Sequence, residues 1–264
     1  MPARHARLTE ASDELAAALA AIRAELGLTA EFPPEAEAEA AALAADPPLP
    51  EPDQTGVAFV TIDPEGSTDL DQALHLESDG DGVVVRYAIA DVPAFVAPGG
   101  AIDVEARRRG QTMYAPDGRV PLHPPVVSEG VASLLAGQVR GAYVWTMRLD
   151  ARGDVVATTL ERARVRSREQ LTYAEAQRRS DDGDAMLGLL REVGELRIAL
   201  EAERGGASLD MPEEQVVREG DGYRIERREL LPVERWNAQL SLMTGMEAAK
   251  LQLRAKRGIL RTMP

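Results

Sequence analysis

Three aspartates follow one apolar segment of the chain at short spacing. Asp63, Asp69 and Asp71 come after the strand-like run Val57–Ile62, and a proline and a glycine between them favour a turn that brings the carboxylates together. Neighbouring carboxylates repel one another unless they are protonated or share a cation. Carboxylate oxygens suit Mg²⁺ or Mn²⁺, and such ions can activate water and stabilise the leaving oxygen of a phosphodiester. The pattern therefore indicates a candidate site for metal-assisted hydrolysis.

A solvated acidic loop is the simplest alternative for this segment. Composition alone favours that alternative, because Asp-rich turns are common in proteins. A calcium-binding EF-hand loop is excluded: counted from Asp63, the glycine falls at the fourth position, and Leu74 stands at the twelfth, where that loop has its glutamate. A catalytic role for the aspartates therefore needs a further argument.

Several short motifs provide that argument. The segment Thr61–Leu74 resembles the signature of the catalytic domain of ribonuclease II and ribonuclease R, in which threonine, isoleucine and aspartate precede further aspartates. Later segments resemble further blocks of that domain in the same order: Tyr87–Val92, Gly110–Tyr114, Val120–Pro124, Ser133–Leu134 and Arg166–Tyr173. A single short motif is weak evidence, whereas ordered motifs are specific. The resemblance covers roughly residues 55–264.

The resemblance implies a Mg²⁺-dependent hydrolase, with Mn²⁺ as an alternative ion. It would degrade single-stranded RNA from the 3′ end to 5′-mononucleotides. On this basis Asp63, Asp69 and Asp71 are the metal-binding and catalytic carboxylates, and Asp71 is the least replaceable. Tyr114 would stack on a base near the 3′ end, and Glu234 would lie near the terminal ribose. Without the resemblance, Tyr114 is more simply read as a half-buried core residue.

The chain departs from the family pattern at two places. Gln72 stands where the family usually has a fourth aspartate. Its amide oxygen can still bind a metal but brings no charge, so we keep Gln72 as a candidate ligand and expect Gln72→Asp to lower the Mg²⁺ requirement. Near Ser208–Met211 the family places an aromatic residue, and this chain has Leu209 or Met211 instead. The second side of a base clamp is therefore missing from the pattern.

A basic stripe is a second candidate RNA contact. Arg162, Arg164, Arg166 and Arg168 alternate with other residues, so on a strand all four point to one side. Guanidinium groups in a row can follow a phosphate backbone, and we take Arg164, Arg166 and Arg168 as candidate RNA-binding residues. An ordinary solvated face is the simpler interpretation for most of the four.

The elements around these residues predict an α+β fold, a mixed β-sheet with flanking helices. Helices are predicted at residues 8–26 and from the proline pair at 33–34 to 45, followed by a proline-rich linker. We place a boundary near residue 53, between an acidic Ala/Glu-rich helical segment (1–52) and the catalytic-type domain (53–264). Further elements follow from the apolar pattern: strands at 57–62, 83–90, 142–149 and 155–165, and helices at 102–109, from the capping box Thr172–Glu175, at 186–200 and at 233–258.

The net charge of −14 by itself argues against a nucleic-acid partner. However, the first 56 residues hold eleven of the acidic residues and only three arginines. The chain has no cysteine, no apolar run of 18 residues and no recognisable secretory signal. These features favour a cytoplasmic enzyme without a membrane partner, and they leave the oligomeric state open.

The resemblance also implies a continuation beyond Pro264. Family members run well past this point, and their later part supplies a catalytic arginine, so we expect the remainder of the same protein to be a partner of this piece. Two other classes of function stay open. One is a non-catalytic RNA-binding or regulatory relative, which Gln72 favours. The other is an interaction module, suggested by the acidic helical segment.

Overall fold

The computed structural model describes residues 7–8, 13–206, 213–219 and 222–260. The helices are α1 (Asp13–Glu25), α2 (Pro34–Ala45), α3 (Ala101–Arg109), α4 (Tyr173–Asp181), α5 (Ala185–Glu203) and α6 (Pro232–Ala255). The strands are β1 (Arg7–Leu8), β2 (Phe59–Asp63), β3 (Gln72–Asp79), β4 (Gly82–Ala90), β5 (Met113–Ala115), β6 (Gly118–Val120), β7 (Val139–Leu149), β8 (Val155–Thr172), β9 (Glu213–Glu219) and β10 (Gly222–Arg228).

Five strands form a closed barrel in the order β2-β3-β4-β7-β8. Neighbouring strands are antiparallel except β2 and β8, which pair in parallel and place Asp63 beside Thr172. The predicted mixed sheet with flanking helices is confirmed. Its closure into a barrel was not predicted, since the β2–β8 pairing joins strands that are far apart in sequence.

Strand β4 is buried along most of its length on both faces, which agrees with its near-continuous apolar sequence, whereas the first half of β8 is largely exposed. One cluster joins barrel residues such as Val85 and Met147 to apolar side chains of α4, α5 and α6. The other is rich in alanine, with Ala88 and Ala163 among its members. The helices approach closely at Gly194 in α5, where an added Cβ would lie 2.4 Å from the Cβ of Trp236. A larger residue at position 194 would therefore force α5 and α6 apart.

The described residues form two compact units. The barrel unit contains residues 48–92, 129–209 and 231–264, and therefore all five barrel strands with α4, α5 and α6. The second unit contains residues 1–47, 93–128 and 210–230. It holds α1, α2, α3, the hairpin β5–β6 and a three-stranded sheet in which β9 pairs with β1 in parallel and with β10 in antiparallel.

Most predicted elements have a counterpart in the structure. Helix α2 has the predicted limits, and Thr172 caps α4 by accepting a hydrogen bond from the backbone N–H of Glu175 at 3.1 Å. The predicted helix over 8–26 is wrong at its start, because Leu8 belongs to β1 and α1 begins at Asp13. The division at residue 53 stays a prediction. Within the described residues, no helix is long and apolar enough to cross a membrane.

Candidate active site

The three aspartates lie at one end of the barrel strands β2 and β3. Asp63 is the last residue of β2. Asp71 precedes β3 directly, and its carbonyl oxygen accepts a hydrogen bond from the N–H of Ala90 at 2.9 Å, which extends the β3–β4 pairing by one residue. Asp69 belongs to the loop between the two strands. The backbone therefore holds the outer two aspartates through the sheet, whereas Asp69 depends on the loop.

Asp63 has the most perturbed carboxyl group of the three. Burial, with smaller contributions from the negative charges of Asp71 and Asp69, raises the pKa of Asp63 to about 7. Its Oδ2 atom is buried and has no hydrogen-bond partner. An ionised carboxylate in this position is unfavourable unless a positive charge compensates it.

Asp71 combines an exposed residue surface with a partly desolvated carboxyl group. Desolvation raises the pKa of Asp71, and the charge of Asp69 acts in the same direction. The side chain of Gln72 donates a hydrogen bond to this carboxyl group and lowers its pKa in part. Gln72 thus supports the charged form of Asp71.

Gln72 uses its amide oxygen elsewhere. The hydroxyl of Tyr87, a buried residue of β4, donates a hydrogen bond to Oε1 of Gln72. With its oxygen bound to Tyr87 and its nitrogen directed to Asp71, Gln72 is placed as a hydrogen-bond partner of the carboxylates. A role as metal ligand, expected from the sequence, stays a prediction.

Ser133 fixes the loop that carries Asp69. Its buried hydroxyl accepts a hydrogen bond from the N–H of Leu70 at 2.9 Å and donates one to the carbonyl of Thr68 at 2.7 Å. The N–H of Leu134 adds a bond to the carbonyl of Leu70 at 2.8 Å. Ser133 therefore holds the backbone on both sides of Asp69.

Arg140 in turn holds the segment that contains Ser133. Its guanidinium donates to the carbonyl of Ser133 at 3.0 Å through Nε and to the carbonyl of Gly130 at 3.2 Å through a terminal nitrogen. Burial lowers the pKa of Arg140. Neither role was predicted from the sequence. Ser133 lay within a recognised motif, whereas nothing in the sequence distinguished Arg140 from other arginines.

The donor set fits a divalent cation in part. The unpartnered Oδ2 of Asp63 and the mutual repulsion of the three aspartates favour a positive charge between them. In the described part of the chain, however, no three His, Cys, Asp or Glu side chains are grouped closely enough to hold an ion by themselves. Mg²⁺ tolerates such a site, because it commonly uses one or two carboxylates together with water and substrate phosphates.

Comparison with known proteins assigns the family. A family model described as the RNB domain matches residues 52–264. The chain belongs to the RNB family. This confirms the resemblance carried by Thr61–Leu74 and the later motifs. Asp63, Asp69 and Asp71 lie within the matched residues.

The relatives of this RNB chain include proteins named exonuclease and a protein named inactive exonuclease. Human exosome complex exonuclease RRP44 is 31% identical over 206 residues, which cover 74% of this chain and 21% of that protein. The Arabidopsis thaliana protein named inactive exonuclease DIS3L2 is 39% identical over 126 residues, 47% of this chain and 12% of its own length. The chain thus spans about a fifth of RRP44.

The fold has a close counterpart among solved structures. RNase R of Mycoplasma genitalium, in complex with ribose-methylated single-stranded RNA, matches with a TM-score of 0.84 at 23% identity. The match covers 92% of this chain and 40% of that one. A second structure of the same protein contains double-stranded RNA. At this identity the likeness establishes the fold and leaves the RNA contacts of the RNB chain to be argued from its residues.

The arginine stripe of the RNB chain lies on β8 with the predicted alternation, since Ala163, Val165 and Ser167 between the arginines are buried. Two of the arginines bind the linker. Arg164 donates to the carbonyl of Glu51 at 3.2 Å and to the carboxylate of Asp53 at 3.3 Å, and Arg168 donates to the carbonyl of Thr55 at 3.0 Å. Their contacts hold residues 51–55 against the barrel strand.

The other two arginines of the stripe differ from each other. Arg162 forms a two-pronged ion pair with the buried carboxylate of Asp91. Arg166 is half-buried, and its Nε atom has no hydrogen-bond partner. Among the arginines predicted to bind RNA, Arg166 is therefore the one for which the structure gives no linker hydrogen bond.

The two remaining RNA candidates lie in different settings. Tyr114 is on β5, opposite Arg119 of β6, and is 44% exposed, so it is not the half-buried core tyrosine of the simpler interpretation. Glu234 lies in the first turn of α6, where its carboxylate accepts a hydrogen bond from the N–H of Leu231 at 2.8 Å. The positions of Leu209 and Met211 lie outside the described residues.

Proposed function

We propose that this chain is part of a hydrolytic exoribonuclease that degrades single-stranded RNA from its 3′ end and releases 5′-mononucleotides. The observation that carries the proposal is the buried, unpartnered Oδ2 of Asp63 beside Asp69 and Asp71, in a chain of the RNB family. A carboxylate that is costly to ionise without a cation suits a site whose cation arrives with its substrate.

The three carboxylates have different tasks in this proposal. Asp63, Asp69 and Asp71 would hold Mg²⁺ together with water and substrate phosphate, and Mn²⁺ could substitute for it. When bound, the ion supplies Lewis acidity towards the scissile phosphate and its leaving oxygen. Asp71 is the most exposed residue of the three, and the raised pKa of its partly desolvated carboxyl group suits a group that accepts the proton of the attacking water. Ser133 keeps Asp69 in place through the backbone at Thr68 and Leu70.

RNA recognition in the proposal uses residues outside the carboxylate cluster. Tyr114 offers an exposed ring on which an unpaired base near the 3′ end can stack. Arg166 contacts a backbone phosphate, with Arg164 and Arg168 as secondary contacts because they also bind the linker. Glu234 lies near the terminal ribose. A single-stranded substrate is proposed because stacking on Tyr114 requires an unpaired base.

The proposal has two extensions that concern the whole protein. The remainder of the same protein, beyond the region matched in this chain, supplies the transition-state arginine as a partner. The protein acts in the cytoplasm. Both extensions depend on the longer protein and are testable only with it.

A non-catalytic RNA-binding relative is the second candidate. Gln72 favours it, because this neutral residue binds Tyr87 through its oxygen and adds no charge to hold a cation. The presence of a protein named inactive exonuclease among the relatives supports the same reading. This candidate predicts RNA binding without turnover.

One experiment separates the two candidates. The longest available form of the protein is incubated with 5′-labelled single-stranded RNA, with Mg²⁺ or with EDTA, beside an Asp71→Asn variant. The exonuclease proposal predicts a ladder that shortens from the 3′ end and disappears with EDTA and in the variant. RNA binding without cleavage at any Mg²⁺ or Mn²⁺ concentration would instead establish the non-catalytic relative.

A further inference from the structure

The acidic helical segment contacts the hairpin β5–β6 at the turn of the hairpin. Arg23 in the last turn of α1 donates to both carboxylate oxygens of Asp117, at 2.6 and 2.9 Å. Asp117 lies between β5 and β6, and the hydrogen bond from Arg23 holds the pKa of Asp117 below its usual range. Two parallel bonds between a guanidinium and a carboxylate fix orientation as well as distance.

A second contact holds the base of the same hairpin. Arg109 at the end of α3 is buried, and one of its terminal nitrogens donates to the carbonyl of Pro121, directly after β6, at 2.9 Å. The other terminal nitrogen donates to the carbonyl of Glu31 at 2.5 Å, and the guanidinium carbon lies 3.7 Å from the ring centroid of Phe32. Arg109 therefore joins the connection between α1 and α2 to the end of the hairpin.

The third nitrogen of the Arg109 guanidinium also has a partner. This Nε atom donates to the buried carboxylate of Glu105 at 2.8 Å. The hydrogen bonds from Arg108 and Arg109 hold the pKa of Glu105 at about 2, so Glu105 is ionised at neutral pH. All three nitrogens of the Arg109 guanidinium thus have partners in different parts of the unit, which is an arrangement that lysine cannot reproduce.

Helix α2 fixes the other end of α3. The carboxylate of Glu39 accepts hydrogen bonds from the N–H groups of Ala101 at 2.6 Å and Ile102 at 3.2 Å. A carboxylate at a helix N-terminus satisfies free donors and complements the helix dipole. Gly100 makes room for it, since an added Cβ would lie 2.6 Å from Glu39 Oε1. Residues 13–45 therefore hold α3 at both ends and the hairpin at its turn.

We propose that residues 13–45 act as a brace that positions the hairpin β5–β6 and, through it, the exposed ring of Tyr114 for stacking on RNA. Arg23 and Arg109 are positioning residues in this arrangement. The inference rests on the stacking role proposed above for Tyr114. It assigns the acidic segment a task that does not require it to bind RNA, which agrees with its excess of carboxylates.

The test uses the complete chain and two readouts. Arg23→Glu removes the outer contact at a partly exposed position, and the double variant Arg23→Glu with Asp117→Arg restores an ion pair of opposite polarity. Arg178→Glu is the matched control, because Arg178 of α4 forms an exposed ion pair at 2.8 Å with Asp182, the residue directly after that helix. The readouts are hydrogen exchange of the backbone amides at 113–120 and affinity for a short single-stranded RNA in EDTA.

The brace predicts faster exchange of the hairpin amides in Arg23→Glu and about 3-fold to 5-fold weaker RNA binding. The double variant should recover both, and Arg178→Glu should change neither. Arg109→Lys should show a larger loss of hairpin protection, because lysine keeps the charge beside Glu105 but cannot reach Pro121 and Glu31 together. Normal exchange at 113–120 in Arg23→Glu would overturn the brace.

A Tyr114→Ala variant distinguishes the failure of this inference from that of the proposed function. Loss of the ring should weaken binding of the short RNA about 10-fold. If Tyr114→Ala weakens binding while Arg23→Glu loosens the hairpin without weakening binding, the positioning role is wrong and the stacking role stands. If Tyr114→Ala binds normally, the stacking role fails, and the positioning role fails with it.

Discussion

The two charged clusters of the barrel unit differ in how their charges are compensated. At the ends of β2 and β3, Asp63 has an unpartnered buried oxygen and a pKa raised to about 7. Along β8, Arg162 and Arg164 are paired with aspartates. Both clusters were equally conspicuous in the sequence. Their difference teaches that uncompensated charge marks the candidate site, whereas compensated charge holds the barrel and its linker together.

The largest effect is expected at Asp71. Asp71→Asn keeps the shape of the side chain but removes its charge and its capacity to accept a proton. We expect kcat for RNA hydrolysis to fall roughly 10²-fold to 10⁴-fold, with the protein still folded. The measurement is single-turnover cleavage of labelled RNA by the longest form of the protein. Activity within about 3-fold of the unaltered protein would break the comparison, since an uncompensated carboxylate would then be dispensable.

The raised pKa of Asp63 makes the free energy of unfolding depend on pH. Its carboxyl group ionises near 3.8 in the unfolded chain and near 7 in the folded one, so the folded state binds more protons between these values. The free energy of unfolding should therefore fall as the pH rises through this window. Asp63→Asn removes the loss and should be more stable than the parent by about 1–3 kcal/mol above pH 7.

The check for Asp63 is urea denaturation in EDTA at several pH values between 4 and 8. The stabilities of the two proteins should converge towards the acidic end, where Asp63 is protonated in the folded state and partly protonated in the unfolded state. Added Mg²⁺ should stabilise the parent more than Asp63→Asn above pH 7. A parent that gains stability relative to the variant as the pH rises would show that Asp63 is compensated after all.

A substitution at Ser133 shows whether activity depends on the hydrogen bonds that hold the loop with Asp69. Ser133→Ala removes the bonds to Thr68 and Leu70, so Asp69 loses its fixed backbone. We expect kcat to fall about 10-fold and stability to fall by about 1–2 kcal/mol. Ser180→Ala is the matched control, because Ser180 is also buried and its hydroxyl donates to the carbonyl of Leu187 in α5, away from the aspartates. Equal losses of activity in both variants would reduce Ser133 to a structural role.

Gln72 is a neutral hydrogen-bond partner of the charged Asp71, so it compensates that carboxylate only in part. Gln72→Asp should lower the Mg²⁺ concentration for half-maximal activity about 3-fold, because it adds a charge to the cluster. Tyr87→Phe is the companion variant: it removes the hydroxyl that occupies Oε1 of Gln72. An unchanged Mg²⁺ requirement in Gln72→Asp would argue that position 72 serves Asp71 alone.

The smallest effect is expected along β8. Arg166→Ala should reduce the salt dependence of RNA binding by about one phosphate contact. Arg164→Ala should reduce that slope by less than Arg166→Ala does, and it should lower the melting temperature, because its partners are Asp53 and Glu51 in the linker. Titrations at several salt concentrations, with melting curves for both variants, check this. A larger change of the salt slope in Arg164→Ala than in Arg166→Ala would show that pairing with the linker does not separate structural arginines from RNA-binding ones.

Local patterns explain which parts of the fold were predictable. Strand β4 is long and apolar, and β7 alternates over residues 142–149, so the positions of both strands follow from the local pattern. Strand β3 was missed, since its second half, Glu77–Asp79, is polar and Gln72 was read as part of a loop. The charged strands β9 and β10 carry no apolar alternation strong enough to indicate a sheet. Such strands are specified by their pairing partners rather than by their own residues.

The site was predictable in its residue types and less so in its geometry. Asp63, Asp69 and Asp71 were marked by spacing and by the family motif. The hydrogen bonds of Ser133 join residues more than sixty positions apart, so no local pattern encodes them. Those of Arg140 are shorter in sequence, but they go to backbone carbonyls, which no side-chain pattern marks. The contact between Tyr87 and Gln72 likewise depends on the register of β3 against β4.

The parallel pairing of β2 with β8 has a consequence for how the protein is made. Asp63 acquires its neighbour Thr172 only when the end of β8 has been synthesised, more than one hundred residues later. Contacts of such long separation in sequence form late and slowly. A nascent chain that has completed β2, β3 and β4 therefore carries the aspartates without the strand that closes the barrel beside them. Closure of the barrel beside Asp63 therefore waits until the end of β8 has left the ribosome, whereas β2, β3 and β4 can pair with one another earlier.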